Sequence, residues 1–196
     1  MGALLEMAEA RNSEGEVLPS RRKWTHEEYY ELFERGFFEG QRVELIDGEI
    51  LTMSPMNDPH AFGIMLTLEA LRQSFVGDFT FRPQMPMVLL AGHEPEPDIA
   101  ILKGTIRENP KHPSTALLIV EVSESSFFYD TTVKAKIYAE AGVPDYWVLD
   151  LKGRRLRVFR EPNATGYTSQ KEYFPNESIA PLAAPSVPIR VADLLP

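Results

Sequence analysis

Hydrophobic and polar positions change period several times along the chain, and each change predicts an element. In "WTHEEYYELFERG" (24–36) Thr25 stands three residues before Glu28, the capping-box spacing, and Gly36 offers a stop, which predicts a helix. "RVELIDGEILTM" (42–53) alternates apolar and polar residues on either side of Asp47-Gly48, a favoured two-residue turn, and reads as a hairpin. A second helix is predicted from Asp58-Pro59 to about Phe75, with Pro59 at its first position and Gly77 closing it. "DFTFRPQMPMVLL" (78–90) is extended but broken by prolines, the mark of an edge or bent strand.

Two apolar runs follow, "DIAIL" (98–102) and "ALLIVEV" (116–122), joined by a polar loop. The second is almost continuously apolar, as a central strand covered on both faces would be. "YDTTVKAKIYAEAG" (129–142) reads as a helix ended by Gly142. "PDYWVLDL" and "RLRVFRE" read as a second hairpin around Lys152-Gly153, with Tyr146 and Trp147 in the core. Beyond Pro162 the pattern dissolves into prolines and short extended pieces. Helix, hairpin, helix, strands, helix, hairpin is the order of an α/β fold: a mixed central β-sheet flanked by helices on both faces.

Composition narrows the function. The chain has 196 residues, the length of one domain. Residues 1–20 read as a flexible lead-in and 21–196 as a single domain. No apolar run is long enough to span a membrane. The first 20 residues carry too many acids and too short an apolar stretch for a signal peptide. There is no cysteine, so no disulfide framework, thiolate nucleophile or cysteine zinc site exists. A cytoplasmic protein is expected. The formal net charge of −9 opposes binding to a polyanion. No glycine-rich dinucleotide or phosphate loop is present.

Two ionisable residues break the apolar pattern. Asp98 opens one strand in "HEPEPDIAIL", and Glu121 interrupts the next in "LLIVEVS". Burying an unpaired carboxylate is costly, and burying two is worse. If the two strands are neighbours, the acids meet at one end of the sheet, where one must be protonated or a cation must bridge them. Carboxylate oxygens suit Mg²⁺, which also takes substrate phosphate oxygens. On the following helix Asp130, Lys134 and Tyr138 are spaced i, i+4, i+8 along one face. Lys136 lies about 200° from Lys134 around a helix, so only one of them faces that side. Metal, phosphate and a fixed ammonium together describe metal-assisted phosphodiester hydrolysis.

These residues also carry a resemblance. "PD" at 97–98, the strand acid Glu121 and a nearby lysine resemble the PD-(D/E)xK nuclease superfamily, with its restriction-endonuclease-like fold. "VELIDGEI", "SP" with His60, "PEPDIAIL", "LIVEVSESS", "YDTTVKAKIYAEAGVPDYWVLDL" and "RLRVFRE" resemble one bacterial family of endonucleases, the Uma family, from about Trp24 to Arg160. The resemblance implies an endonuclease using Mg²⁺ or Mn²⁺ on nucleic acid, DNA first, and working as a homodimer. It implies Asp98 and Glu121 as ligands, Glu44 as a further ligand and the Val122 carbonyl completing the set. Lys134 is implied as the catalytic cation. The superfamily places its lysine two residues after the strand acid, where this chain has Ser123. His60, Tyr138, Arg155 and Arg157 are candidates for substrate contact.

Plainer readings stand beside these. Asp98 follows a proline and suits a turn. Asp130 and Lys134 have the spacing of a surface ion pair. Glu44 beside Asp47-Gly48 suits hairpin chemistry, and His60 in a first helical turn suits a surface histidine. "RRK" at 21–23 and Arg154, Arg155, Arg157 and Arg160 are the dense positive clusters; either could grip phosphates, and the second could equally protect an edge strand. Ser123 and the acidic balance favour an alternative: a catalytically weak or inactive module on the same fold that binds nucleic acid or protein. Paired acids acting on a sugar without metal are a poor fit to adjacent strands with a lysine nearby.

Overall fold

The computed structural model describes residues 21–89 and 92–196. The lead-in expected over 1–20 lies outside the described residues. Thr25 caps α1 (His26–Glu34): its side chain accepts from the Glu28 N–H, and Glu28 returns the bond to the Thr25 N–H. β1 (Val43–Ile46) and β2 (Glu49–Thr52) form the expected antiparallel hairpin, with Asp47 and Gly48 both at positive φ in its turn. α2 (Asp58–Ser74) begins one residue earlier than proline spacing implied: Asn57 is its cap, accepting from the His60 N–H, and Pro59 falls at the second helical position.

A six-stranded sheet in the order β3-β4-β5-β6-β7-β8 organises the rest. β3 (Phe79–Pro83) is its edge, as the prolines suggested. β4 (Ile99–Lys103) pairs antiparallel with β5 (Leu118–Ser123), in a register that opposes Ile99 to Val120. β5 pairs parallel with β6 (Asp145–Asp150). A parallel pair needs a crossover, and here the crossover is helical: α3 (Phe127–Tyr129), a wider π turn (Asp130–Lys134), then α4 (Ala135–Glu140). In the π turn the Ala135 N–H reaches the Asp130 carbonyl five residues back.

Two expectations are corrected. The chain beyond Pro162 is not irregular: β7 (Arg155–Asn163) runs through the proline and pairs with β8 (Gly166–Tyr173), which was not foreseen. Consequently β7 is an interior strand and β8 the edge, so Arg155 and Arg157 are not edge-strand guards. Pro162 sits near the strand's end, where one missing ladder donor is tolerated.

Both faces of the sheet are covered. On one, Ile64 and Leu71 of α2 and the tail residues Ile179, Ile189, Val191 and Leu194 pack on Ile99, Ile101, Leu118, Val120 and Trp147. On the other, Ala135, Ile137 and Tyr138 pack on Ala100, Ile119, Tyr146 and Val148. Strand alternation therefore sends Glu121 toward the face with Ile119, under the crossover helix. The two short strands β9 (Ser178–Ile179) and β10 (Ile189–Arg190) pair with each other.

Candidate functional site

The register of β4 and β5 brings the two strand acids together. Asp98 lies one residue beyond the Ile99–Val120 pair, opposite Glu121. Its Oδ2 accepts the Val122 N–H at 2.8 Å, and its own N–H donates to Glu121 Oε2 at 3.3 Å. Both side chains are buried. From α2 the His60 Nε2 stands 3.1 Å from Asp98 Oδ1, and the Gln84 amide donates to the same oxygen at 3.4 Å.

Lys134 completes the arrangement from above. Only 3% exposed, its Nζ donates to Glu121 Oε1 at 3.0 Å and to Glu44 Oε1 at 3.2 Å. The Tyr138 hydroxyl, one turn along, donates to Glu121 Oε1 at 2.8 Å. Glu44 comes from β1 and accepts the Glu96 N–H at 3.1 Å. The hairpin is held there because Glu94 and Leu45 bridge the 93–98 segment to β1. Asp130, also buried, accepts from Ser126 Oγ, which lies 3.2 Å from Ser123 Oγ.

The electrostatics follow from burial. Burial drives the Glu121 carboxyl up, to about 8, against the pull of Lys134. Burial alone would depress the Lys134 ammonium, but Glu121, Glu44, Asp130 and Asp98 outweigh it and raise its pKa well above the ordinary value. Burial likewise raises the Asp130 carboxyl. The hydrogen bond to Asp98 raises His60.

Asp98, Glu121, Lys134, Glu44, Val122 and His60 thus share one cleft, whose rim carries Met53, Met56 and Glu124. Val122 contributes its N–H to Asp98. Tyr138 shares the Lys134 side of the helix, where it is fully buried and its hydroxyl reaches Glu121 rather than solvent. Lys136 points away and pairs with Glu140 on the surface.

Arg155 and Arg157 are not brought to the cleft. Arg155 pairs with Asp150 at 3.0 Å, and both arginines pair with Glu172. Their guanidinium groups lie 4.9 and 5.1 Å from the centre of the Phe127 ring. The "RRK" residues are likewise taken up by Glu49, Glu28 and Asp47. Acids pair with all three residues of the first cluster and with Arg155, Arg157 and Arg160 of the second, whereas Arg154 donates to the Pro196 carbonyl. The sequence reading missed Arg42, Glu96 and Glu124 as cleft residues. For Arg42 a signal existed: it stands two residues before Glu44 on an alternating strand.

Comparison with known proteins now bears on this geometry. The family described as "Putative restriction endonuclease", Uma2, matches residues 26–192. The chain belongs to the Uma2 family. That match spans every element contributing to the cleft. Among solved structures, the chain is similar to the crystal structure, at 1.96 Å resolution, of "a putative nuclease belonging to DUF820" from Anabaena variabilis ATCC 29413. The two are 14% identical, with a TM-score of 0.66, over 87% of this chain and 96% of the other. At that identity the likeness establishes the fold, a restriction-endonuclease-like one. No curated protein gives a significant match. Among the described residues no helix is long and apolar enough to cross a membrane.

Proposed function

We propose that this Uma2 protein is a divalent-metal-dependent nuclease that hydrolyses phosphodiester bonds of nucleic acid, DNA in the first instance, with Mg²⁺ or Mn²⁺. The observation that carries the reading is the Lys134 ammonium set between Glu44 and Glu121, beside Asp98, at the floor of an open cleft. Among the described residues no three acidic or histidine side chains stand in ready-made metal-ligating spacing. Lys134 itself occupies the space between Glu44 and Glu121. The donor set nevertheless fits a hard cation: two carboxylates bond one ammonium, Asp98 and Asp130 line the same cleft, and Glu44 Oε2 is buried with no hydrogen-bond partner. An oxygen in that state loses hydration without recompense unless a cation meets it.

Asp98, Glu121 and Glu44 would hold the ion, which when bound polarises a phosphoryl oxygen and acidifies water. Each ligand is pre-oriented by a donor: Val122 N–H for Asp98, Tyr138 for Glu121, Glu96 N–H for Glu44. Such neighbours fix the direction of a ligand's lone pairs. Lys134 keeps its proton among the acids and presents positive charge where a phosphate gathers negative charge. It reaches that point from the crossover helix, in place of the strand position where Ser123 stands.

The test is cleavage of plasmid, linear duplex, single-stranded DNA and RNA by purified protein with Mn²⁺ or Mg²⁺, alongside calorimetric Mn²⁺ binding. Wild type should bind and cut, whereas Asp98→Asn and Glu121→Gln should lose both. Mn²⁺ binding without turnover on any of these forms would favour the inactive binding module. Cleavage by Asp98→Asn would reject the site.

A further inference from the structure

We propose that Arg42 grips the phosphate adjacent to the scissile one, which makes it a substrate-positioning residue of the nuclease site. The inference rests on the nuclease reading and deepens it. Arg42 precedes β1, and the hairpin ladder extends to it: the Met53 N–H donates to its carbonyl at 2.8 Å, continuing the register that opposes Val43 to Thr52. Strand alternation then sends Arg42 and Glu44 to the same side. Glu44 reaches down to Lys134, while Arg42 remains at the mouth with 41% of its side chain exposed. Two residues along a strand cover about 7 Å, comparable with the separation of successive phosphates on one nucleic-acid strand.

Its present partner is weak. The guanidinium meets Glu96 Oε2 at 3.4 Å, the limit of hydrogen bonding, in a solvent-exposed pair of the kind that contributes little. Glu96 is itself fixed, because its N–H is bound to Glu44 Oε1. Arg42 is therefore held over the acids and is cheaply released to a phosphate, which a guanidinium can take bidentately. The need is electrostatic. Glu44, Glu96, Asp98, Glu121, Glu124 and Asp130 line the cleft, and among the described residues the basic side chains facing them are Lys134, His60 and Arg42. Lys134 is buried in ion pairs and His60 is bonded to Asp98. Among the described residues, Arg42 is the cleft cation that presents its charge to solvent.

The experiment is fluorescence anisotropy of labelled single-stranded and duplex DNA with full-length protein carrying Asp98→Asn, to prevent cleavage, over a series of salt concentrations. Adding Arg42→Ala should weaken binding about tenfold and lower the slope of log affinity against log salt by about 1. Arg42→Lys should restore the slope and most of the affinity, and Glu96→Gln should leave binding equal or tighter. An unchanged slope in Arg42→Ala overturns the proposal, as does an equal loss in Glu96→Gln, which would mark the pair as structural. If Asp98→Asn binds neither DNA at low salt while wild type cuts nothing, the nuclease reading fails and takes this proposal with it. Binding by Asp98→Asn that is indifferent to Arg42 sinks the proposal alone.

Discussion

At the scale of single residues, the cleft is a set of buried charges that support one another. Lys134 separates Glu44 from Glu121 with two hydrogen bonds, and among the described residues no other lysine or arginine bonds either acid. Removing one partner of a buried pair strands the other charge. Lys134→Met should therefore lower unfolding free energy by about 3 kcal/mol in urea titration, and it should abolish cleavage. Lys134→Arg should recover much of the stability without the activity, since a planar fork cannot occupy the place of a compact ammonium. Tyr138→Phe removes only a hydroxyl, but that hydroxyl donates to Glu121 inside the core. The expected cost is about 1–2 kcal/mol, read in the same titration, with a fall in Mn²⁺ affinity by calorimetry as Glu121 loses its orienting donor.

At the scale of elements, the hairpin and the crossover helix carry the site to the sheet. The hairpin docks through the 93–98 segment, where His93 Nδ1 accepts the Asp47 N–H at 2.8 Å. That bond requires a neutral ring nitrogen, and burial lowers the His93 pKa below its ordinary 6.5. The unfolded chain thus takes up the proton first as pH falls. The contribution of His93 is complete above about 6.5 and is lost as pH drops through the lower folded value. Stability should decline more steeply below that pH in wild type than in His93→Gln, by thermal melts across the range. The crossover helix does its part through the π turn, which lets Asp130 and Lys134 both face inward at 3% exposure. Helical spacing in the sequence anticipated the shared face, but nothing in it announced the wider turn. Thr131 and Thr132 donate their hydroxyls to the Phe127 and Phe128 carbonyls, and that bonding is visible only once the backbone is placed.

At the scale of the whole molecule, the tail closes the face that α2 covers. Asp145 is fully buried and gathers Arg160 Nε at 2.9 Å, Trp147 Nε1 at 2.8 Å and the Leu182 N–H at 2.8 Å, while Arg160 also donates to the Ala180 carbonyl. This clamp pins the 180–182 segment, and with it Val191 and Leu194, to the sheet. Arg160→Met should cost about 3 kcal/mol and should speed hydrogen exchange of the tail amides selectively. Burial already raises the Asp145 carboxyl despite Arg160. Without the guanidinium its charged form is penalised further, so the deficit of the variant should grow as pH rises and shrink as Asp145 takes up a proton. The net charge of −9 is likewise a whole-molecule property, and it says little about the cleft, where the balance depends on which charges face one another.

Local chemistry specifies several elements outright: the Thr25 capping box, the Asp47-Gly48 hairpin, the apolar strands read over 98–102 and 116–122, which form as 99–103 and 118–123, and the acids interrupting their pattern. Periodicity and turn chemistry are written in neighbouring residues, so these were legible. The fold class and the family resemblance were legible with them. Which distant groups meet was settled only by the folded chain. It turned Arg155 and Arg157 toward Glu172, sank Tyr138 beneath Glu121, brought Glu96 to the cleft, and paired β7 with β8 through a proline. Charge pairing and strand register depend on contacts between residues far apart in the chain, and no local pattern encodes them.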